Sequence, residues 1–178
     1  MMTSWLRRHA ANSVTLFGIS LALFAGINLL VFEAVGVATL IVFLCAGIDG
    51  LDGWLARRLG SASTVGRILD AVHDLLAFGV VPGLLGLVVL GDYGHHMFML
   101  MTAFVLAMLF RLARSVLRNR PDTLLGLPAP FAGMSLVLAC TVLFEADEPL
   151  HYTVFILVII LLMLIPFPIK RPCFPPSA

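Results

Sequence analysis

Residues 49–74 read Asp-Gly-Leu-Asp-Gly-Trp-Leu-Ala-Arg-Arg-Leu-Gly-Ser-Ala-Ser-Thr-Val-Gly-Arg-Ile-Leu-Asp-Ala-Val-His-Asp. Apolar runs, residues 35–48 and 75–90, flank this stretch, and Gly60-Ser61-Ala62-Ser63 interrupts it midway. Small and polar residues at that point favour a turn, so the pattern predicts two antiparallel neighbouring helices. Asp49 and Asp52 stand at i and i+3, and Gly66, Asp70 and Asp74 at i, i+4 and i+8. Each set therefore occupies one helical face. Gly53, Ala56 and Arg57 continue the first face. Two pairs of carboxylates can then meet across a single helix seam.

The rest of the chain gives that seam its setting. The 178 residues are 61% hydrophobic and 12% charged, with a mean hydropathy of +1.07. A soluble domain carries about a quarter charged residues, so the composition excludes an ordinary soluble domain, a disordered chain and a disulfide scaffold. A spanning helix needs roughly 20 apolar residues. Six apolar stretches occur, at 13–32, 35–57, 65–90, 95–117, 127–144 and 151–165. They predict an all-α integral membrane protein of six transmembrane helices forming one domain, residues 1–178. Residues 4–11 are expected to form a short N-terminal interfacial helix, with Trp5 and Leu6 in lipid. Asn12 or Thr15 is expected to cap the first span, and proline-rich residues 166–178 to form an irregular tail. The first apolar run is too long for the core of a cleaved signal peptide. Cys45 and Cys140 lie in apolar runs and read as small core residues. Gly79, Gly83 and Gly86 form a small-residue stripe suited to close helix contact, within the chain or between two copies.

Charge fixes the expected orientation. With the N-terminus in the cytoplasm, all eleven Lys and Arg fall on or near the cytoplasmic side. Glu33, Asp92, Glu145, Asp147 and Glu148 fall on the other side, with no Lys or Arg among them. This partition follows the positive-inside rule and requires an even number of spans, with both termini cytoplasmic.

Asp49, Asp52, Asp70 and Asp74 are the acids placed at membrane depth, where a carboxylate is costly and marks a functional site. Four close carboxylates need compensating positive charge. Hard divalent cations supply it through oxygen ligands, and four carboxylates suit a two-metal site acting on a phosphoryl centre. Without a cysteine or histidine cluster, Mg²⁺ or Mn²⁺ fits better than zinc.

The acids, glycines, Ala56 and Arg57 together resemble the signature of the CDP-alcohol phosphotransferases, D-x2-D-G-x2-A-R-x8-G-x3-D-x3-D. All eight specified positions match, at the right spacing. Asn12-Ser-Val-Thr15 resembles the family's N-terminal Asn-x-x-Thr segment. Phe78-Gly79-Val80-Val81-Pro82, Arg111-Leu-Ala-Arg114 and Gly126-Leu127-Pro128-Ala-Pro130 are similar to the bacterial and archaeal branch that uses serine as acceptor. The resemblance covers roughly residues 10–135. Three sites depart from that branch: Ala77 stands where Ser is usual, His73 where Ala is usual, and Ser115-Val116 where Phe-Asn is usual. These departures bear on the acceptor alcohol and leave the reaction class intact.

The resemblance implies an enzyme of phospholipid biosynthesis. A phosphatidyl group passes from CDP-diacylglycerol to an alcohol, serine favoured, and CMP leaves. Asp49, Asp52, Asp70 and Asp74 are implied to bind two Mg²⁺ or Mn²⁺ ions, with Asp74 also the general base. Asn12, Thr15, Gly53, Ala56, Arg57 and Gly66 are implied to bind the CDP-lipid. Arg111 and Arg114, at i and i+3 near the cytoplasmic end of the fourth span, are candidates for the acceptor's carboxylate or a phosphate; the alternative is arginines snorkelling to headgroups. His73 reads as a packed helix histidine. A homodimer in the cytoplasmic membrane is implied, with its active site facing the cytoplasm and no nucleic acid partner. Glycerol 3-phosphate or inositol phosphate are the alternative acceptors. A carboxylate-based ion transporter is the rival class, disfavoured because the acids gather at one membrane face instead of lining a path.

Overall fold

The structure is a computed structural model that describes the backbone of residues 2–59, 64–117, 123–143, 149–165 and 168–170. Side chains are described for residues 13–51, 65–117, 126–142 and 150–165. Seven α-helices occur among them: α1 (Met2–Phe32), α2 (Val35–Leu59), α3 (Thr64–Asp74), α4 (Val81–Leu90), α5 (His95–Leu117), α6 (Ala129–Leu138) and α7 (Pro149–Leu164). A π-helical turn, Leu75–Val80, joins α3 to α4, and a second, Ala139–Leu143, extends α6. Three segments are long and apolar enough to cross a membrane: Ser13–Phe32, Val65–Tyr93 and His95–Leu117. Val35–Leu51, Ala129–Val142 and Leu150–Leu164 are shorter apolar helices.

The surface follows the same logic. Phe17, Phe24, Leu30 and Phe32 on α1, and Phe98, Leu106 and Phe110 on α5, are exposed, which suits lipid as the solvent. Polar side chains on α1, on α5 and in the extension of α6 bond back into their own backbone. Ser20 Oγ donates to Leu16 O, Asn28 Nδ2 to Phe24 O, Thr102 Oγ1 to Phe98 O and Thr141 Oγ1 to Val137 O. Back-bonding removes the need for water that an apolar surrounding cannot supply.

Helix α1 begins at Met2 and continues without a break. The segment expected to be a separate interfacial helix is therefore its first turns, and Thr15 lies in the helix interior instead of at a cap. Residues 4–11 contain no Pro or Gly, and Ala10-Ala11 favour helix, so nothing stops the helix before Asn12. Along α1 the buried positions are Thr15, Gly18, Ala22, Ala25 and Leu29. Their alternating spacing of three and four is that of a close helix seam lined by small residues. That seam receives α2 and α3. Glu33 ends α1 in the left-handed region, φ 51°, and Ala34 N–H bonds back to Asn28 O at 3.4 Å.

The glycine stripe of α4 and the preceding π turn packs within the chain. A Cβ at Gly79 would stand 3.1 Å from Met108 Cγ, at Gly83 2.8 Å from Val105 Cγ2, and at Gly86 2.5 Å from Met101 Sδ. All three partners lie on α5, so this stripe is committed to an intramolecular contact. Gly133 of α6 is less forgiving, because its Cβ would meet the Phe78 backbone, with Cα and Cβ at 2.7 Å. A backbone cannot yield as a flexible side chain can. Gly133→Ala should lower stability by about 1–3 kcal/mol, the usual cost of overpacking. Gly47→Ala, where no described atom lies within 4 Å, should be neutral or stabilising. Thermal unfolding of both variants in detergent checks the contrast.

Within the tail expected to be irregular, β2 (Pro168–Lys170) pairs antiparallel with β1 (Thr123–Leu125). Pro168 stands at the strand end opposite Leu125, where its missing donor costs least. The pairing is reinforced by Gly126 at φ 74°. A Cβ there would lie 2.9–3.0 Å from the carbonyl oxygens of Leu162, Met163 and Ile165, and Leu127 N–H donates to Leu162 O at 3.1 Å. The Gly-Leu-Pro turn thus seats under the C-terminal end of α7.

Candidate active site

The seam between α2 and α3 carries the acids. On α2 the buried face runs Ala38, Ile41, Val42 and Cys45, and Asp49 follows Cys45 by one turn. The face changes from apolar to charged as the helix nears its end. Cys45 S–H points to Gly18 O at 3.9 Å, so α1 lies alongside just below the acid. On α3, Asp70 and Asp74 share a face, and the chain widens into the π turn immediately after Asp74. Such turns relieve the regular ladder and often flank functional side chains.

Asp49, His73 and Asp74 each offer one ligand atom within 4.8 Å of the other two. Asp74 is close enough to Asp49 for a side-chain hydrogen bond and within electrostatic reach of Asp70 and Arg111. Its Oδ1 is buried without a hydrogen-bond partner among the described residues. Asp70 lies one turn away at the exposed rim of α3. Arg111 on α5 is within electrostatic reach of Asp74, Asp49 and Arg114, and its Nε is likewise buried without a partner among the described residues. Three helices therefore bring carboxylates and a guanidinium to one end of the bundle. Glu33 and Asp92 lie at the opposite ends of α1 and α4.

The residues fit a hard divalent cation. Carboxylates from two helices crowd together, which like charges resist unless a proton or cation intervenes. A buried carboxylate oxygen without a partner carries an unmet demand that a cation would satisfy.

Arg114 is partly engaged. Its Nη1 donates to Leu164 O at 3.3 Å, and its guanidinium carbon lies 5.7 Å from the centre of the Phe110 ring. A cation at the last carbonyls of α7 complements that helix end. Its Nε and Nη2 are buried without partners among the described residues. Thr15 is buried in the α1 seam one turn before Gly18. Gly66 stands one turn before Asp70 on α3. The side chains of Asn12, Asp52, Gly53, Ala56 and Arg57 lie outside the described residues, although α1 and α2 include their backbone.

His73 is the residue that the sequence pattern undervalues. It is fully buried at 0% exposure, and a Cβ on Gly18 would stand 2.7 Å from its Nε2. Its ring meets Phe78 edge-on, with centroids 5.9 Å apart and planes at 76°. Neither ring nitrogen has a hydrogen-bond partner among the described residues. Its departure from the usual Ala is the one signal of this in the sequence.

The chain is similar to known proteins over most of its length. The family model described as CDP-alcohol phosphatidyltransferase matches residues 8–170. The CDP-diacylglycerol–serine O-phosphatidyltransferase of Bacillus subtilis is 32% identical over 114 residues, 63% of this chain and 64% of that protein. The protein of the same name from Helicobacter pylori strain 26695 is 34% identical over 109 residues, 59% of this chain and 44% of that protein. An archaetidylserine synthase of Methanothermobacter thermautotrophicus is 30% identical over 102 residues, 56% of this chain and 44% of that protein. The chain thus spans 44–64% of the length of these relatives.

Proposed function

The chain belongs to the CDP-alcohol phosphatidyltransferase family, and on that premise we propose that it transfers a phosphatidyl group from CDP-diacylglycerol to a small alcohol, serine favoured, releasing CMP. The observation that carries the reading is the meeting of Asp49 and Asp74 across the α2–α3 seam, with Arg111 beside them. The serine acceptor is supported by the names of the bacterial relatives.

Asp74 acts as general base, its carboxylate taking the proton of the acceptor hydroxyl. As that hydroxyl gives up its proton, its oxygen attacks the lipid-side phosphorus. The phosphorus–oxygen bond to CMP breaks, and CMP departs with the electron pair. Asp49, Asp52, Asp70 and Asp74 would hold two divalent cations, Mg²⁺ or Mn²⁺, which when bound neutralise the pyrophosphate and the charge developing on CMP. By the family resemblance, Gly53, Ala56 and Gly66 would leave room for the nucleotide, Arg57 would pair with a phosphate, and Asn12 and Thr15 would bind the cytidine. Arg111 and Arg114 receive the acceptor's carboxylate.

The setting follows from the same reading. The three long and three shorter apolar helices make six spans, with both termini and the acids on the cytoplasmic side of the inner membrane. The acyl chains of the donor then stay in the bilayer while the headgroup reacts at its surface. The protein acts as a homodimer, as the family resemblance implies.

The test is CMP release by purified protein in detergent, with CDP-diacylglycerol and Mg²⁺ or Mn²⁺. Serine, glycerol 3-phosphate and inositol 1-phosphate are offered separately. Release with serine alone is the expected result. Release with another acceptor moves the protein to a different branch of the family, and release with none removes CDP-diacylglycerol as donor.

A further inference from the structure

We propose that His73 supplies a nitrogen ligand to the divalent-cation site, giving this chain a mixed oxygen and nitrogen donor set. The inference rests on the metal-binding reading above and adds to it a residue and a metal preference. Its first support is position: one ring nitrogen lies within 4.8 Å of carboxylate oxygens on both Asp49 and Asp74. Ligands about 2.1 Å from one ion stand about 3 Å apart when adjacent and about 4.2 Å when opposite, so carboxylate shifts of about an ångström or two towards the ring close the trio.

The second support is the state of the ring. A buried imidazole carries hydrogen-bonding nitrogens that need partners, and both nitrogens of His73 have none among the described residues. An apolar residue present only to fill the seam would leave no such demand. The third support is rigidity. Gly18 presents bare backbone to the Nε2 edge of the ring, and Phe78 holds it from the side. The imidazole is held there, fully buried, beside the two carboxylates.

Imidazole suits the later transition metals, Mg²⁺ prefers oxygen, and Mn²⁺ accepts a nitrogen ligand more readily than Mg²⁺ does. The site should therefore prefer Mn²⁺ over Mg²⁺ by more than an all-carboxylate site would. The experiment uses tag-free protein in detergent, titrated with Mn²⁺ and read by pulsed electron paramagnetic resonance. The wild-type ion should show coupling to a nitrogen nucleus, and its pattern should change when histidine is supplied with ¹⁵N. His73→Ala, which installs the residue usual in the serine branch, should abolish that coupling. Mn²⁺ affinity should fall by about tenfold or more, since losing even an outer-shell partner costs a metal site that much. Mg²⁺ affinity should change far less. Bound Mn²⁺ without nitrogen coupling in the wild type overturns the role of His73 and leaves the carboxylate reading standing. Coupling that persists in His73→Ala assigns the nitrogen elsewhere and overturns it equally. Failure of Mn²⁺ to bind the wild type overturns both readings, while CMP release reports separately on the reaction.

Discussion

Asp74→Asn lowers the rate of CMP release by about 10²–10⁴-fold, the range of a lost general base. The substitution keeps the shape of the side chain and its ability to hydrogen-bond, but an amide cannot accept the acceptor's proton. Its neighbourhood makes the result interpretable. Asp74 shares its space with Asp49 and Asp70, and Arg111 is the opposing charge among the groups it feels. Removing one of several crowded carboxylates relieves repulsion in metal-free protein. The thermal midpoint of the apo variant should therefore hold or rise while activity collapses. A variant that lost activity by misfolding would show the opposite. Rate and midpoint measured on one preparation separate the two. Near-normal turnover in Asp74→Asn would move the base to another residue.

Much of this site is legible in the sequence, because two simple periodicities carry it. Hydropathy locates the apolar helices, and the spacing of Asp49, Asp70 and Asp74 places carboxylates on facing stripes. Local patterns are written in consecutive residues, so composition and spacing suffice for them. Contacts between distant segments are not. Gly18 and His73 are separated by most of two helices, and nothing in either neighbourhood announces that one is the seat of the other. The same holds for Gly133 against Phe78, and for Arg114, whose hydrogen bond to Leu164 crosses fifty positions. The glycine stripe is legible as a contact surface but not as to its partner, which is α5. The first helix shows the converse error. Asn12 and Thr15 have the residue types of caps, but a cap needs a helix end, and no breaker precedes them. The tail misleads in a similar way, because proline count argues against helix but does not forbid a short edge strand.

Arg111→Ala lowers kcat/KM for serine by about 10–10²-fold, chiefly through KM, in keeping with a charge-assisted hydrogen bond of roughly 1.5–3 kcal/mol. The Arg111 Nε is buried and has no hydrogen-bond partner among the described residues. A guanidinium held among Asp74, Asp49 and Arg114 has two available roles. It can balance the site's own acids, or it can receive the acceptor's carboxylate. Serine methyl ester distinguishes them, because it keeps the hydroxyl and amine but lacks the negative charge. If Arg111 binds the carboxylate, wild-type protein prefers serine over the ester, and Arg111→Ala loses most of that preference while using the ester about as well as before. If Arg111 only balances the acids, the variant loses ground on both acceptors equally and the preference survives. Arg111→Lys sharpens the comparison, since an ammonium keeps the charge but not the two-pronged geometry of a guanidinium. It should restore part of the serine preference under carboxylate binding. Arg114 is the internal control: with Nη1 engaged at Leu164 O, its removal should cost thermal stability as well as acceptor affinity.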